Sequence, residues 1–191
     1  MNQKNENKIL TIPNALSLFR LCLIPVFIWL YIGVQNYAWA AAILVLSGLT
    51  DLVDGIIARR FGSISNFGKI LDPIADKLTQ GVVLFCLILR FPLMLIPFTI
   101  LILKEIFVGI TGALVIRKTG KVYGANWHGK VATWLLYIMM IVHVIWHGLP
   151  ASFSNLFIAI SAIVMIISFV LYGVGNIKKL VRPKPNDDIE N

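Results

Sequence analysis

Charge is scarce in this chain, and acid is scarcer. Only 14% of its 191 residues are charged, against about 25% in a soluble domain. That shortage excludes an ordinary soluble fold carrying a membrane tail. Cysteine is limited to Cys22 and Cys86, both inside apolar runs. A disulfide framework and a CxxC site are therefore excluded, and the redox compartment stays open. Internal repeats and low-complexity segments are also missing. What fills the chain is apolar: 58% hydrophobic residues and a mean hydropathy of +0.84. The expected class is an all-α integral membrane protein of one domain. The net charge of +8 suits anionic membrane lipids and phosphate ligands. Nucleic acid is a poor partner for it, because most basic residues flank apolar spans.

The few acids are unevenly placed. Of nine Asp and Glu, four (Glu6, Asp187, Asp188, Glu190) lie in the polar ends. Glu105 and four aspartates, Asp51, Asp54, Asp72 and Asp76, occupy the apolar body. Acids at membrane depth are costly and mark functional sites by default. If both segments are helical, Asp51, Asp54, Gly55 and Ala58 share one face, and Gly68, Asp72 and Asp76 share another. Gly62, Ser63, Ser65 and Asn66 allow the chain to reverse between them. Small Gly55, Ala58 and Gly68 favour close approach of the two backbones. Asp51 and Asp76 then lie at matching depth, roughly 12 Å from the turn at 1.5 Å per residue.

Four bare carboxylates would cost on the order of 10–14 kcal/mol at a helix centre, so they need partners. Two divalent cations would offset their charge. All-oxygen ligation favours Mg2+, with Mn2+ as second choice. The bland alternative pairs the acids with Lys77, Lys104 and Arg59.

Apolar runs place six transmembrane helices at roughly 13–33, 38–60, 67–89, 92–116, 130–147 and 153–176. Residues 1–12 read as a cytosolic or interfacial segment, 13–177 as the membrane domain and 178–191 as a cytosolic tail. The first run reads as a retained span rather than a signal peptide, because Arg20 interrupts it and no clear cleavage site follows. Arg90 stands alone at its end of the spans. Lys4, Lys8, Arg59, Arg60, Lys69, Arg117, Lys118, Lys121, Lys130 and the tail collect at the other. The positive-inside rule makes that side, with both termini and the motif turn, cytosolic.

The pattern D-x2-D-G-x2-A-R-x8-G-x3-D-x3-D, complete from Asp51 to Asp76, resembles the CDP-alcohol phosphatidyltransferase motif. It fixes eight positions in 26 residues. The resemblance implies a transfer of the phosphatidyl group of CDP-diacylglycerol to an alcohol, releasing CMP. It implies that Asp51 and Asp54 hold a first metal, Asp72 bridges both and Asp76 holds the second and acts as general base. It places Gly55, Arg59 and Ser65 at the nucleotide, with Asn14 and Ser17 in the wall of its pocket. It is compatible with a homodimer, which the glycine-rich and aromatic faces leave undecided.

The acceptor is less legible. Lys104-Glu105 stands where the family often has Arg-Glu or Arg-Asp near the acceptor pocket, and Lys lacks the bidentate fork of Arg. Glycerol 3-phosphate users tend to carry an Arg eight residues later, where this chain has Gly112. Arg117, Lys118 and Lys121 are alternative phosphate ligands. Lys130 and Thr133 match the family's Gly-Lys-x-x-Thr. The expected acceptor is glycerol 3-phosphate, giving phosphatidylglycerophosphate. The alternative is phosphatidylglycerol, as in cardiolipin synthases. An ion-coupled transporter or a non-catalytic nucleotide-lipid binder would also use buried acids, although here they are confined to one hairpin.

Other polar residues read more plainly. Asn14, Ser17 and Arg20 fit either interfacial anchoring or the nucleotide wall. His143 and His147 read as interfacial, since no acid or cysteine accompanies them. Tyr and Trp elsewhere read as interface belts. Gly109 and Gly112 read as helix-packing positions.

Overall fold

A computed structural model describes residues 12–61, 68–119 and 127–181; the side chains of 12, 13, 51, 52, 54–61, 68–70 and 119 fall outside that description. The chain forms α1 (Ile12–Ile28), prolonged by a π-helical turn at Trp29–Gly33, then α2 (Tyr37–Phe61) and α3 (Gly68–Ile88). A 3-10 turn at Pro92–Met94 leads into α4 (Leu95–Thr119), followed by α5 (Trp127–Ile145) and α6 (Ala151–Val181). Each segment expected as a span coincides with one helix. Four are long and apolar enough to cross a membrane: Asn14–Gly33, Pro92–Lys118, Trp127–Ile145 and Ala151–Val181. In α2 the apolar stretch is shorter, Tyr37–Thr50. Asp72, Asp76 and Lys77 lower the hydropathy of α3.

The turns have local causes. The N–H groups of Val34 and Asn36 bond back to the carbonyls of Trp29 and Leu30, both at 2.9 Å. This closure needs a left-handed residue, and Gln35 supplies it at φ 56°. Asn36 then caps α2: its Oδ1 accepts the N–H of Trp39 at 3.2 Å. At the other end, α6 continues through Lys178 and Lys179 to Val181, into the stretch expected as tail. Lys118 Nζ donates to the Leu180 carbonyl there, satisfying an acceptor that the helix end leaves open.

Large apolar side chains such as Leu89, Ile110, Ile163 and Val170 are exposed, as lipid rather than water requires. The core is built from Leu44 on α2, Leu84 and Leu87 on α3, Leu136, Met139 and Met140 on α5, and Met165 on α6. An aromatic series closes one end of the bundle: Phe27 stacks on Tyr31 (5.6 Å), Tyr31 meets Tyr37 edge-on (5.5 Å) and Tyr37 stacks on His147 (4.7 Å).

The helix α1 packs along both α2 and α3, while α5 touches α2, α3 and α6. No comparable α2–α3 interface exists among the described residues. The expected close approach at Gly55, Ala58 and Gly68 involves side chains outside the description. Helix-packing roles for Gly109 and Gly112 are not supported, because a Cβ at either would meet nothing within 4 Å.

Candidate active site

The helix α3 carries the centre of the site. Asp72 and Asp76 lie about one turn apart on it, half-buried, and point away from lipid-exposed Ile74 and Leu78. Three neighbouring helices reach these carboxylates or the lysine beside them. From α1, Ser17 Oγ donates to Asp72 Oδ1. From α5, Tyr137 Oη donates to Asp76 Oδ1 at 2.9 Å. On α4, Glu105 Oε1 accepts Lys77 Nζ at 3.0 Å and Lys104 Nζ at 3.5 Å. One turn further along α3, Gln80 Nε2 donates to Asp76 Oδ2 at 2.9 Å.

The ion-pair alternative is present only in part. Lys77 Nζ lies 4.0 Å from Asp76 Oδ2 but turns its closer contact to Glu105. Neutral donors hold Asp76. Lys104 is buried, beside Glu105 and 5.8 Å above the Tyr172 ring centre.

Next to Tyr137 and Lys77, the neighbours of Asp76, opens a cavity of about 610 Å3. Lys77, Lys104, Glu105, Lys130, Thr133, Tyr137 and Tyr172 give its polar wall. Leu44, Val45, Leu49, Val108, Trp134 and Ile141 give its apolar wall. Gly129 lets α5 approach Tyr172 closely: a Cβ there would lie 2.5 Å from Tyr172 Oη. Tyr172 also meets the ring of His128 edge-on at 4.6 Å, and His128 Nδ1 lies 3.3 Å from Ser168 Oγ.

Of the residues singled out in the sequence, Asp72, Asp76 and Ser17 come together, and Lys104, Glu105, Lys130 and Thr133 line the cavity. Arg117 is exposed at the end of α4, and Lys118 is turned to α6; neither is among the described wall residues. Asp51, Asp54, Gly55 and Arg59 stand on α2 with undescribed side chains, and Ser65 and Lys121 lie outside the described residues.

Three readings are corrected. Asn14, Ser17 and Arg20 are buried, so interfacial anchoring does not apply. Arg20 instead borders a small space with Ser47 and Thr79 between α1, α2 and α3. His143 is a core residue: Nδ1 lies 2.7 Å from the Met139 carbonyl oxygen and Nε2 3.0 Å from Ser154 Oγ. Tyr137 is part of the site rather than an interface belt. Tyr137 and Gln80 were both missed. Gln80 extends the Gly68-Asp72-Asp76 stripe by one more turn, and Tyr137 extends that of Lys130 and Thr133, so spacing could have found them.

Among the described residues, no three Asp, Glu, His or Cys side chains form a metal-ligating group. Asp72 and Asp76 nonetheless fit a metal role. They are hard carboxylate donors with hydroxyl and amide neighbours, and such donors suit Mg2+ or Mn2+. Asp51 and Asp54, the other two acids expected in the set, have undescribed side chains.

The family model described as CDP-alcohol phosphatidyltransferase matches residues 10–173. A Bacillus subtilis protein named CDP-diacylglycerol--glycerol-3-phosphate 3-phosphatidyltransferase is 36% identical over 154 residues, covering 73% of this chain and 78% of that protein. A Streptomyces coelicolor protein named cardiolipin synthase (CMP-forming) is 47% identical over 77 residues, covering 38% of this chain and 36% of that one. A Rickettsia bellii protein with the same name as the Bacillus one is 39% identical over 99 residues, covering 51% and 55%.

Proposed function

We propose, from the premise that this chain belongs to the CDP-alcohol phosphatidyltransferase family, that it transfers the phosphatidyl group of CDP-diacylglycerol to an alcohol and releases CMP. The observation that carries this reading is half-buried Asp76 joined through Tyr137 and Lys77 to a cavity that Lys104 and Lys130 also line, with Asp72 about one turn away on α3. Acids and ammonium groups side by side suit a reaction between a pyrophosphate and a hydroxyl.

Asp51, Asp54, Asp72 and Asp76 would hold two divalent cations, Mg2+ or Mn2+. When bound, these supply charge neutralisation and polarisation at the pyrophosphate. Asp76 takes the proton of the acceptor hydroxyl. The acceptor oxygen bonds to the lipid-side phosphorus, the bond from that phosphorus to the bridging oxygen breaks, and CMP departs with the electron pair. Asn14, Ser17, Gly55, Arg59 and Ser65 form the nucleotide side. Lys104 and Lys130 hold acceptor charge, Thr133 adds a hydroxyl, and Glu105 orients both Lys77 and Lys104.

The acceptor we assign is glycerol 3-phosphate. The lysine-rich wall and the Bacillus relative support it. Phosphatidylglycerol is the second reading, favoured by the apolar wall from Leu44 to Ile141 and by the Streptomyces relative. The chain is an integral membrane protein; we place all six helices across the bilayer, with both termini and the site on the cytosolic side, on the distribution of basic residues. A homodimer is a compatible assembly.

The test supplies purified protein with labelled CDP-diacylglycerol and Mg2+, then offers glycerol 3-phosphate, phosphatidylglycerol, inositol phosphate and serine separately. The expected product is phosphatidylglycerophosphate with stoichiometric CMP. Cardiolipin would select the second reading, and no CMP with any acceptor would reject both. Asp76→Asn should abolish CMP release while the protein still inserts.

A further inference from the structure

We infer that Tyr137 and Gln80 are positioning residues that grip Asp76 from both oxygens and fix the plane of its carboxylate. The inference rests on the reading of Asp76 as the base. An aspartate carboxylate rotates broadly about its last torsion, so a base on a bare helix face is poorly aimed. Here each oxygen receives one donor from a different direction. Tyr137 Oη reaches across from α5 to Oδ1 at 2.9 Å, and Gln80 Nε2 rises from the next turn of α3 to Oδ2 at 2.9 Å. Gln80 is fully buried, while Tyr137 also lines the cavity.

The grip is neutral, and that matters. Lys77 is the nearest described cation, and its ammonium sits closer to Glu105 (3.0 Å) than to Asp76 (4.0 Å). A tight ion pair would occupy the carboxylate. Two neutral donors take one lone-pair direction each and leave about half of its four acceptor sites for ligand and proton. A misplacement of about 1 Å in such a group costs on the order of a hundredfold in rate, so fixing its plane has kinetic value. Glu105 therefore serves the same end indirectly, by drawing Lys77 aside.

The test compares Tyr137→Phe and Gln80→Met, which keep volume, with Tyr31→Phe, a buried hydroxyl remote from the site with no partner among the described residues. Both site variants should lower kcat about tenfold or more, the loss of one hydrogen bond to a charged group. At saturating Mg2+, KM for CDP-diacylglycerol should stay within about twofold, because the metal sites are then filled and uniform binding is untouched. Mn2+ affinity, read by electron paramagnetic resonance without turnover, should weaken on the order of tenfold. The double variant should lose less than the product of the single losses, since one missing donor already frees the carboxylate. Tyr31→Phe should leave kcat and Mn2+ affinity unchanged.

Wild-type kcat and Mn2+ affinity in both site variants would overturn the inference. A lowered thermal midpoint with unchanged turnover per folded molecule would also overturn it, by reducing both residues to structural supports. Turnover that survives Asp76→Asn would instead reject the parent reading of the base.

Discussion

Adding one carbon to Gly129 should injure acceptor binding while sparing the donor. A Cβ at that position would lie 2.5 Å from Tyr172 Oη, 2.9 Å from its Cε2 and 3.1 Å from its Cζ, where ordinary contact starts near 3.4 Å. The ring must retreat by roughly 1 Å, an overpacking that costs about 1–3 kcal/mol. Tyr172 cannot move alone. Its face supports the Lys104 ammonium at 5.8 Å, and its edge contacts include His128 at 4.6 Å. A cation over a ring contributes about 0.5–2 kcal/mol, so loss of that support should raise KM for the acceptor about two- to thirtyfold.

The assay is CMP release by Gly129→Ala at varied acceptor and saturating CDP-diacylglycerol, with the thermal midpoint measured in the same detergent. Tyr172→Phe removes the atom in the worst clash. It should therefore be less harmful in the Gly129→Ala background than in wild type, a coupling between contacting residues. Strictly additive effects, or a Gly129→Ala enzyme with wild-type acceptor KM and midpoint, would refute the reasoning.

Other consequences follow from single contacts. Gln35→Gly should stabilise the protein by about 1 kcal/mol, since glycine adopts the left-handed turn without the Cβ penalty; a lowered thermal midpoint would contradict this. Lys104→Met should keep the buried volume and raise acceptor KM far more than donor KM, read by varying each substrate in turn. His143→Leu should destabilise by about 1–3 kcal/mol because Ser154 Oγ loses its buried partner, with turnover per folded molecule unchanged.

The helices were legible because their apolar runs are long and their breaks polar, and α1 to α5 begin and end within a few residues of the runs. The end of α6 was not, because Lys118 on another helix satisfies its Leu180 carbonyl. The two acids of α3 could be paired by spacing alone. Their partners could not be identified that way, because Ser17 and Tyr137 lie 55 and 61 residues away in the chain. Burial of Arg20 depends on the space it shares with Ser47 and Thr79, which a snorkelling argument made on one helix cannot see. His143 was misread for the same reason, since Ser154 on the next helix takes its outer nitrogen. Gln35 gave no turn signal, because glutamine is an uncommon residue at positive φ.

The central claim is that acids from α2 and α3 share a pair of divalent cations. Mn2+ titration of the purified protein, followed by electron paramagnetic resonance, addresses it most directly. The account predicts two magnetically coupled ions per chain, with tight binding lost in both Asp51→Asn on α2 and Asp72→Asn on α3. Uncoupled binding, or binding that survives removal of the acids from either helix, would contradict it.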